Sequence, residues 1–234
     1  MNDLCTAFAL LTIFHFRCDR ISARAFAFYP LVGLFIGVLL AAAHFVFRLA
    51  LPDLVAGVLT VALWAILTGG LHLDGFTDAC DALFAATTRE RRLEILRDVH
   101  LGSFGAVGLI LLLVLKVASV ANATSLAPIL LAPILGRWAM TFAVVYPPAR
   151  NEGMAVLFRQ GLTRREIFAS TLFTAVACAM LSWFGVGTLV VAVVITAIIA
   201  NIAMNRLGGL TGDIYGMICE CVEVGVLVVG TMSF

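Results

Sequence analysis

Charge is what this chain has least of. Only 12% of its 234 residues are charged, against roughly 25% in an ordinary soluble domain, while 62% are hydrophobic. That balance excludes a soluble globular enzyme and a disordered segment. An excess of one sign is missing too, since 15 basic residues face 14 acidic ones for a net charge of +1. A nucleic-acid binder needs a basic face to release counterions, so no nucleic-acid partner is expected. The six cysteines, Cys5, Cys18, Cys80, Cys178, Cys219 and Cys221, include no CxxC pair. Neither a zinc site nor a disulfide framework is indicated. A basic n-region and a small-residue cleavage site are also lacking, which argues against a removable signal peptide. Repeats, low-complexity tracts and linkers are absent, and one integral membrane domain over 1–234 is expected.

What is present is apolar length. Long apolar runs lie at about 29–51, 53–71, 104–121, 124–145, 167–184, 186–204 and 215–232. At roughly 20 apolar residues per crossing, these read as seven spans. The run at 4–16 is shorter and reads as an interfacial, re-entrant or spanning helix. The expected fold is therefore all-α, a polytopic transmembrane bundle of about seven spans plus that N-terminal helix. The connections near 52–53, 122–123 and 185 are minimal. Those at about 17–28, 72–103, 146–166 and 205–214 hold most of the arginines, from Arg17, Arg20 and Arg24 to Arg206. Seven alternating spans put all four charged loops on one side, and the positive-inside rule makes that side cytoplasmic. The expected location is a bacterial-type inner membrane, with membrane lipid around the bundle and the chemistry facing the cytoplasm.

The segment TGGLHLDGFTDACDALF at 68–84 is the most informative. Asp74, Asp78 and Asp81 are spaced i, i+4, i+7 and lie within roughly 60° of one another on a helix. Three carboxylates on one stripe repel unless a cation sits among them. A hard cation with oxygen ligands, Mg²⁺ above all, suits them and recruits substrate phosphates to complete its shell. The bland alternative is a solvated acidic face, or acids paired with nearby arginines. Thr87 followed by Glu90 reads as a capping box, which predicts a second helix running to about His100. The resulting cytoplasmic hairpin at about 72–103 is expected to bring Asp98 beside Asp74 and Asp78. Arg97 is a candidate phosphate contact. His72 and His100 flank the acids, and either could shuttle a proton or simply be hydrogen-bonded.

A second cluster, RLGGLTGDIYG at 206–216, opens the last apolar run. Glycines ahead of a helix N-terminus let backbone N–H groups approach phosphate, so Arg206, Gly212 and Asp213 are candidate substrate contacts. Glycine also serves tight helix packing. Arg137, Lys116, Glu220 and Glu223 fall inside apolar runs, where charges are costly and usually paired. Arg137 is expected to pair with Glu223 or Glu220, which lie at similar depth. The same inventory supports a competing reading as an ion-coupled transporter.

These stretches, with RRLEILRDVHLGSFGAVG at 91–108, FYPLVGLFIG at 28–37 and APILGR at 132–137, closely resemble the cobalamin synthase family. Those proteins are adenosylcobinamide-GDP ribazoletransferases, membrane enzymes of the last step of vitamin B12 nucleotide-loop assembly. The resemblance implies that a hydroxyl of α-ribazole, or its 5′-phosphate, attacks the phosphorus attached to cobinamide and that GMP leaves. It implies Mg²⁺ as cofactor, held by Asp74, Asp78, Asp81 and Asp98. Catalytic roles then fall to Asp74, Asp78, Asp81 and His72. Substrate contacts fall to Arg97, Arg206, Gly212 and Asp213, and a homo-oligomer stays open. The chain departs from the family in having LTIFHF at 11–16 where FLTRIP is usual, Ala82 after the third aspartate, and Arg97 where lysine is common. The carboxylate pattern is also similar to that of CDP-alcohol phosphotransferases, although here the order is DxxxDxxD. A phosphotransferase acting on another alcohol is the alternative.

Overall fold

The computed structural model describes residues 2–14 and 23–232. Arg17 and Arg20, and His15 and Phe16 of the divergent segment, lie outside the described residues. Helix α1 covers Asn2–Leu11, and a 3-10 turn at Ala23–Phe28 leads into α2, Tyr29–Ala50. Next come α3 (Asp53–Leu67), α4 (Leu71–Phe84), α5 (Arg89–Ile95), α6 (Ser103–Ala121) and α7 (Ala127–Phe142). The last four are α8 (Met154–Gly161), α9 (Arg164–Ala179), α10 (Ser182–Leu207) and α11 (Gly212–Val229). Among the described residues the only strand-like pairing is one isolated bridge, Pro148 to Leu210. The fold is all-α.

Every one of the seven apolar runs is helical. Four stretches, Arg24–Ala50, Ser103–Ala121, Ala127–Val145 and Ser182–Leu207, are long and apolar enough to cross a membrane. The pair α3–α4, bent by 92°, makes up to a fifth. Helix α9 has 16 residues, or about 24 Å at helical rise, and α11 holds Asp213, Glu220 and Glu223 within 18. Among the described residues, four or five helical segments are thus long and apolar enough to cross, against the seven spans expected.

The bend between α3 and α4 has a local cause. Gly69 and Gly70 both adopt positive φ, +60° and +68°, a conformation that glycine enters without steric penalty. Two successive left-handed residues end α3 and turn the chain by nearly a right angle. As a result α4 crosses α11 instead of prolonging α3.

Helix α7 is the centre of the bundle. Its apolar stretch is 83% buried, against 28–39% for the other three. On one side α2 packs against it through Gly33 and Gly37, where an added Cβ would stand 2.4 Å from the carbonyl oxygens of Pro133 and Leu130. Small residues one turn apart let the two backbones touch, the usual packing device where lipid offers no hydrophobic drive. On its other side lies α11, against Gly136.

The second helix of the expected hairpin is shorter than predicted and starts one residue later. Thr88, not Thr87, caps it, its Oγ1 accepting from Arg91 N at 3.4 Å, and α5 ends at Ile95. Arg92 then donates to the carbonyls of Ala82 and Leu83 at 2.6 and 2.8 Å, satisfying acceptors left open at the C-terminus of α4. Those contacts draw α5 back onto the end of α4, and Asp98 falls beyond the helix.

Candidate active site

The α4–α11 crossing builds the site. Gly75 of α4 faces the backbone of Asp213, so closely that a Cβ there would sit 3.1 Å from its Cα. Gly216, one turn into α11, meets the backbone of His72 in the same way at 3.2 Å. Asp213 is thereby set against the residue that follows Asp74 and precedes Asp78. The negative charges of Asp74, Asp213 and Asp81 all act on Asp78. Asp213 ends in a hydrogen bond from the Thr211 hydroxyl at 3.1 Å, and Thr211 itself caps α11 by accepting from Ile214 N. Burial raises the Asp213 carboxyl above the ordinary carboxylate pKa, and Asp74 adds to the rise. The Thr211 hydrogen bond and the Arg150 guanidinium oppose it.

Two cavities meet at this point. One, of about 190 Å³, is lined by His72, Asp74, Asp213, Tyr29, Phe158 and Tyr215 among others. The second, of about 220 Å³, is lined by Arg150, Glu152, Thr211, Gly212 and Asp213. Asp213, Gly212 and Met154 belong to both.

Behind the first cavity lies a buried charge network. Lys116 Nζ donates to Glu220 at 2.7 Å and to Glu223 at 2.6 Å, and lies 4.1 Å from the centre of the Trp64 ring. Arg137 pairs with Glu223, as expected. Two cations and two anions balance, with side chains exposed by no more than 4%. Arg137 Nη2 also approaches His72 Nδ1 at 3.4 Å, and Cys219 Sγ lies 3.7 Å from the same nitrogen. A guanidinium can only donate, so Nδ1 is the acceptor and the proton of a neutral ring sits on Nε2. That nitrogen is buried without a partner among the described residues.

The sequence-predicted residues divide into two groups. His72, Asp74, Gly212 and Asp213 surround the first cavity, with Asp78 one turn from Asp74. Asp81 is turned away: its carboxylate accepts from Gly102 N and Gly105 N, both at 2.8 Å, and caps α6 from a distance. Asp98 is exposed, and its carboxylate accepts from His100 N at 3.1 Å and lies 2.6 Å from the His100 ring nitrogen. The His100 contact holds the Asp98 carboxyl below its ordinary pKa. The hairpin therefore does not seat Asp98 with Asp74 and Asp78, because α5 stops short of it. Arg206 donates to the carbonyl of Leu83, and Arg97 holds Glu152 at the rim of the second cavity, at 3.2 Å. Arg150, one of the arginines of the 146–166 loop, lines the second cavity as well. Nothing local in the sequence marks it, since the fold alone brings it to the same cavity as Asp213, with its guanidinium donating to the Leu93 carbonyl.

Among the described residues, no three His, Cys, Asp or Glu side chains close into a metal cage. Magnesium does not require one. It binds through one or two carboxylates and completes its shell with water and substrate phosphate, and Asp74 on the first cavity, with Asp78 one turn further along α4, fits that habit.

Comparison with known proteins identifies the family. The profile described as cobalamin-5-phosphate synthase matches residues 3–231. The adenosylcobinamide-GDP ribazoletransferase of Roseiflexus sp. (strain RS-1) is 38% identical over 216 residues, 90% of this chain and 80% of that protein. The protein of the same name from Syntrophobacter fumaroxidans is 37% identical over 232 residues, 94% of each chain. That of Desulforamulus reducens is 33% identical over 235 residues, 97% of this chain and 94% of its own. No solved structure matches. With the match running through α4 and α11 and on almost to the end of the chain, this protein belongs to the cobalamin-5-phosphate synthase family.

Proposed function

We propose that the chain is a membrane transferase that joins adenosylcobinamide-GDP to α-ribazole or its 5′-phosphate, releasing GMP. The observation that supports this most directly is the α4–α11 crossing, which sets Asp74 and Asp213 on one cavity together with His72 and brings both charges to bear on Asp78. The acceptor's hydroxyl oxygen forms a bond to the phosphorus attached to cobinamide, and the bond from that phosphorus to the GMP oxygen breaks. Asp74 and Asp78 would hold Mg²⁺, which when bound neutralises the diphosphate and the departing charge. Asp213, whose affinity for a proton is raised by burial, accepts the proton of the attacking hydroxyl. His72 Nε2–H donates to a substrate oxygen, and Arg150 offers a guanidinium to phosphate from the second cavity. Asp81 and Asp98, engaged by the α6 amides and by His100, are left out of the metal set.

The arginine-rich end of the bundle supports an inner-membrane protein with this site toward the cytoplasm. Purified protein in detergent should release GMP from adenosylcobinamide-GDP only when α-ribazole and Mg²⁺ are both present. Asp74→Asn and Asp213→Asn should each slow that release by about a hundredfold. Release that persists in a chelator and in both variants would refute the assignment.

A further inference from the structure

A groove of about 530 Å³ opens between α1, the turn at Ala23–Phe28, α2 and α9. The proposed transfer does not use it. Its walls are apolar at depth, with Phe28, Leu31 and Phe173, and Phe28 and Leu31 remain 36% and 37% exposed. Ser170 lines the same groove, is 2% exposed, and has a hydroxyl without a hydrogen-bond partner among the described residues. A helical serine or threonine ordinarily bonds the carbonyl one turn back, as Thr174 does by donating to Ser170 O at 3.0 Å. A buried hydroxyl left open in an apolar wall is unfavourable. An acceptor oxygen from a ligand would relieve it.

The order of groups along α9 indicates the ligand. Arg165 stands in the first turn, Ser170 about 7.5 Å further along the axis and Phe173 about 12 Å further. Charge, then hydroxyl, then apolar ring is the order in which a phospholipid offers phosphate, glycerol ester and acyl chain. Among the described residues, the charged ones lining the groove are Arg24, Arg165, Asp3 and Glu166, which sum to zero. Arg24 lies 3.7 Å from Glu166. Among the described residues neither Arg165 nor Asp3 has an ion-pair partner. One unpaired cation and one unpaired anion match a zwitterionic headgroup better than an anionic one.

We propose that this groove binds one phospholipid with a zwitterionic, primary-ammonium headgroup. Arg165 meets its phosphate, Asp3 its ammonium, and Ser170 donates to an ester oxygen. The site is separate from the transfer reaction, so its test reads binding and not turnover. Native mass spectrometry of the full chain in detergent, titrated with dioleoyl-phosphatidylethanolamine, should show one retained molecule. Dioleoyl-phosphatidylglycerol should be held about tenfold more weakly. Arg165→Gln and Ser170→Ala should each weaken retention by about threefold to tenfold, with melting temperature and GMP release unchanged. Phe173→Trp, which fills the groove, should exclude the lipid. Equal retention of the two lipids, unchanged retention in both weakening variants, or displacement by an equal concentration of chain-free glycerophosphoethanolamine would each overturn the proposal.

Discussion

His72 shows how the role proposed for a single side chain depends on neighbours far along the sequence. Arg137 lies 65 residues away and Cys219 lies 147 residues away, yet both approach its Nδ1 and leave Nε2–H as the free group. In the proposed transfer such a donor, fixed in one tautomer and shielded from water, is oriented before a substrate oxygen reaches it. His72→Gln retains an N–H near the Nε2 position, whereas His72→Leu fills the space without one. The leucine variant should lose about tenfold to a hundredfold in kcat/KM, and the glutamine variant less than about fivefold. Equal activity of the two, in protein that melts normally, would exclude the donor role. That His72 is close to the acids was legible from the two-residue spacing to Asp74. Which nitrogen it presents was not, because Arg137 enters from another helix.

At the scale of elements, the three-aspartate stripe of α4 serves two purposes. Asp74 and Asp78 face the α11 crossing, while Asp81, one turn on, supplies the N-cap that α6 lacks in its own sequence. Gly102 stands at that cap with no side chain to accept a hydrogen bond, and a carboxylate at a helix N-terminus also meets a favourable dipole. Asp81→Asn should therefore cost about 1 kcal/mol of stability and lower the melting temperature by a few degrees. Its Mg²⁺ requirement should match that of the unmodified chain. A large shift in the Mg²⁺ concentration for half-maximal rate would return Asp81 to the metal set. The 3.6-residue period placed the stripe correctly. It could not say which of its members another helix would take, and a one-residue shift in the cap, from Thr87 to Thr88, with an end at Ile95 removed Asp98 from the site.

For the whole molecule, the buried network of Lys116, Arg137, Glu220 and Glu223 ties α6, α7 and α11 together. Removing one partner leaves an uncompensated charge in a low-dielectric interior. Glu223→Gln should destabilise the bundle by about 3–5 kcal/mol, read as an earlier thermal unfolding transition in detergent. Lys116→Met with Glu220→Gln removes one charge of each sign, and should cost less than the sum of the two single changes. Strict additivity would show that the charges do not act as a unit. Orientation is a property of this scale as well. A single cysteine at exposed Glu152, in a chain whose native cysteines are replaced, should react with an impermeant thiol reagent only after the cells are opened. Efficient labelling of intact cells would invert the topology.

The amino-acid sequence alone determined the all-α class, the seven apolar helices and the arginine-rich end. Run length, helical period and charge placement are properties of the chain in one dimension, and lipid requires each spanning segment to satisfy its own backbone. The family was legible for the same reason, through contiguous motifs. Only the tertiary structure decided which carboxylates share a site. That depended on Gly75 and Gly216 letting α4 and α11 approach to backbone contact, and on the Gly69–Gly70 turn that sends α4 across α11. The pairing of Asp81 with α6, of Asp98 with His100 and of Arg137 with His72 was likewise settled by which helices cross, since a side chain's partner depends on distance in space and not on separation along the chain.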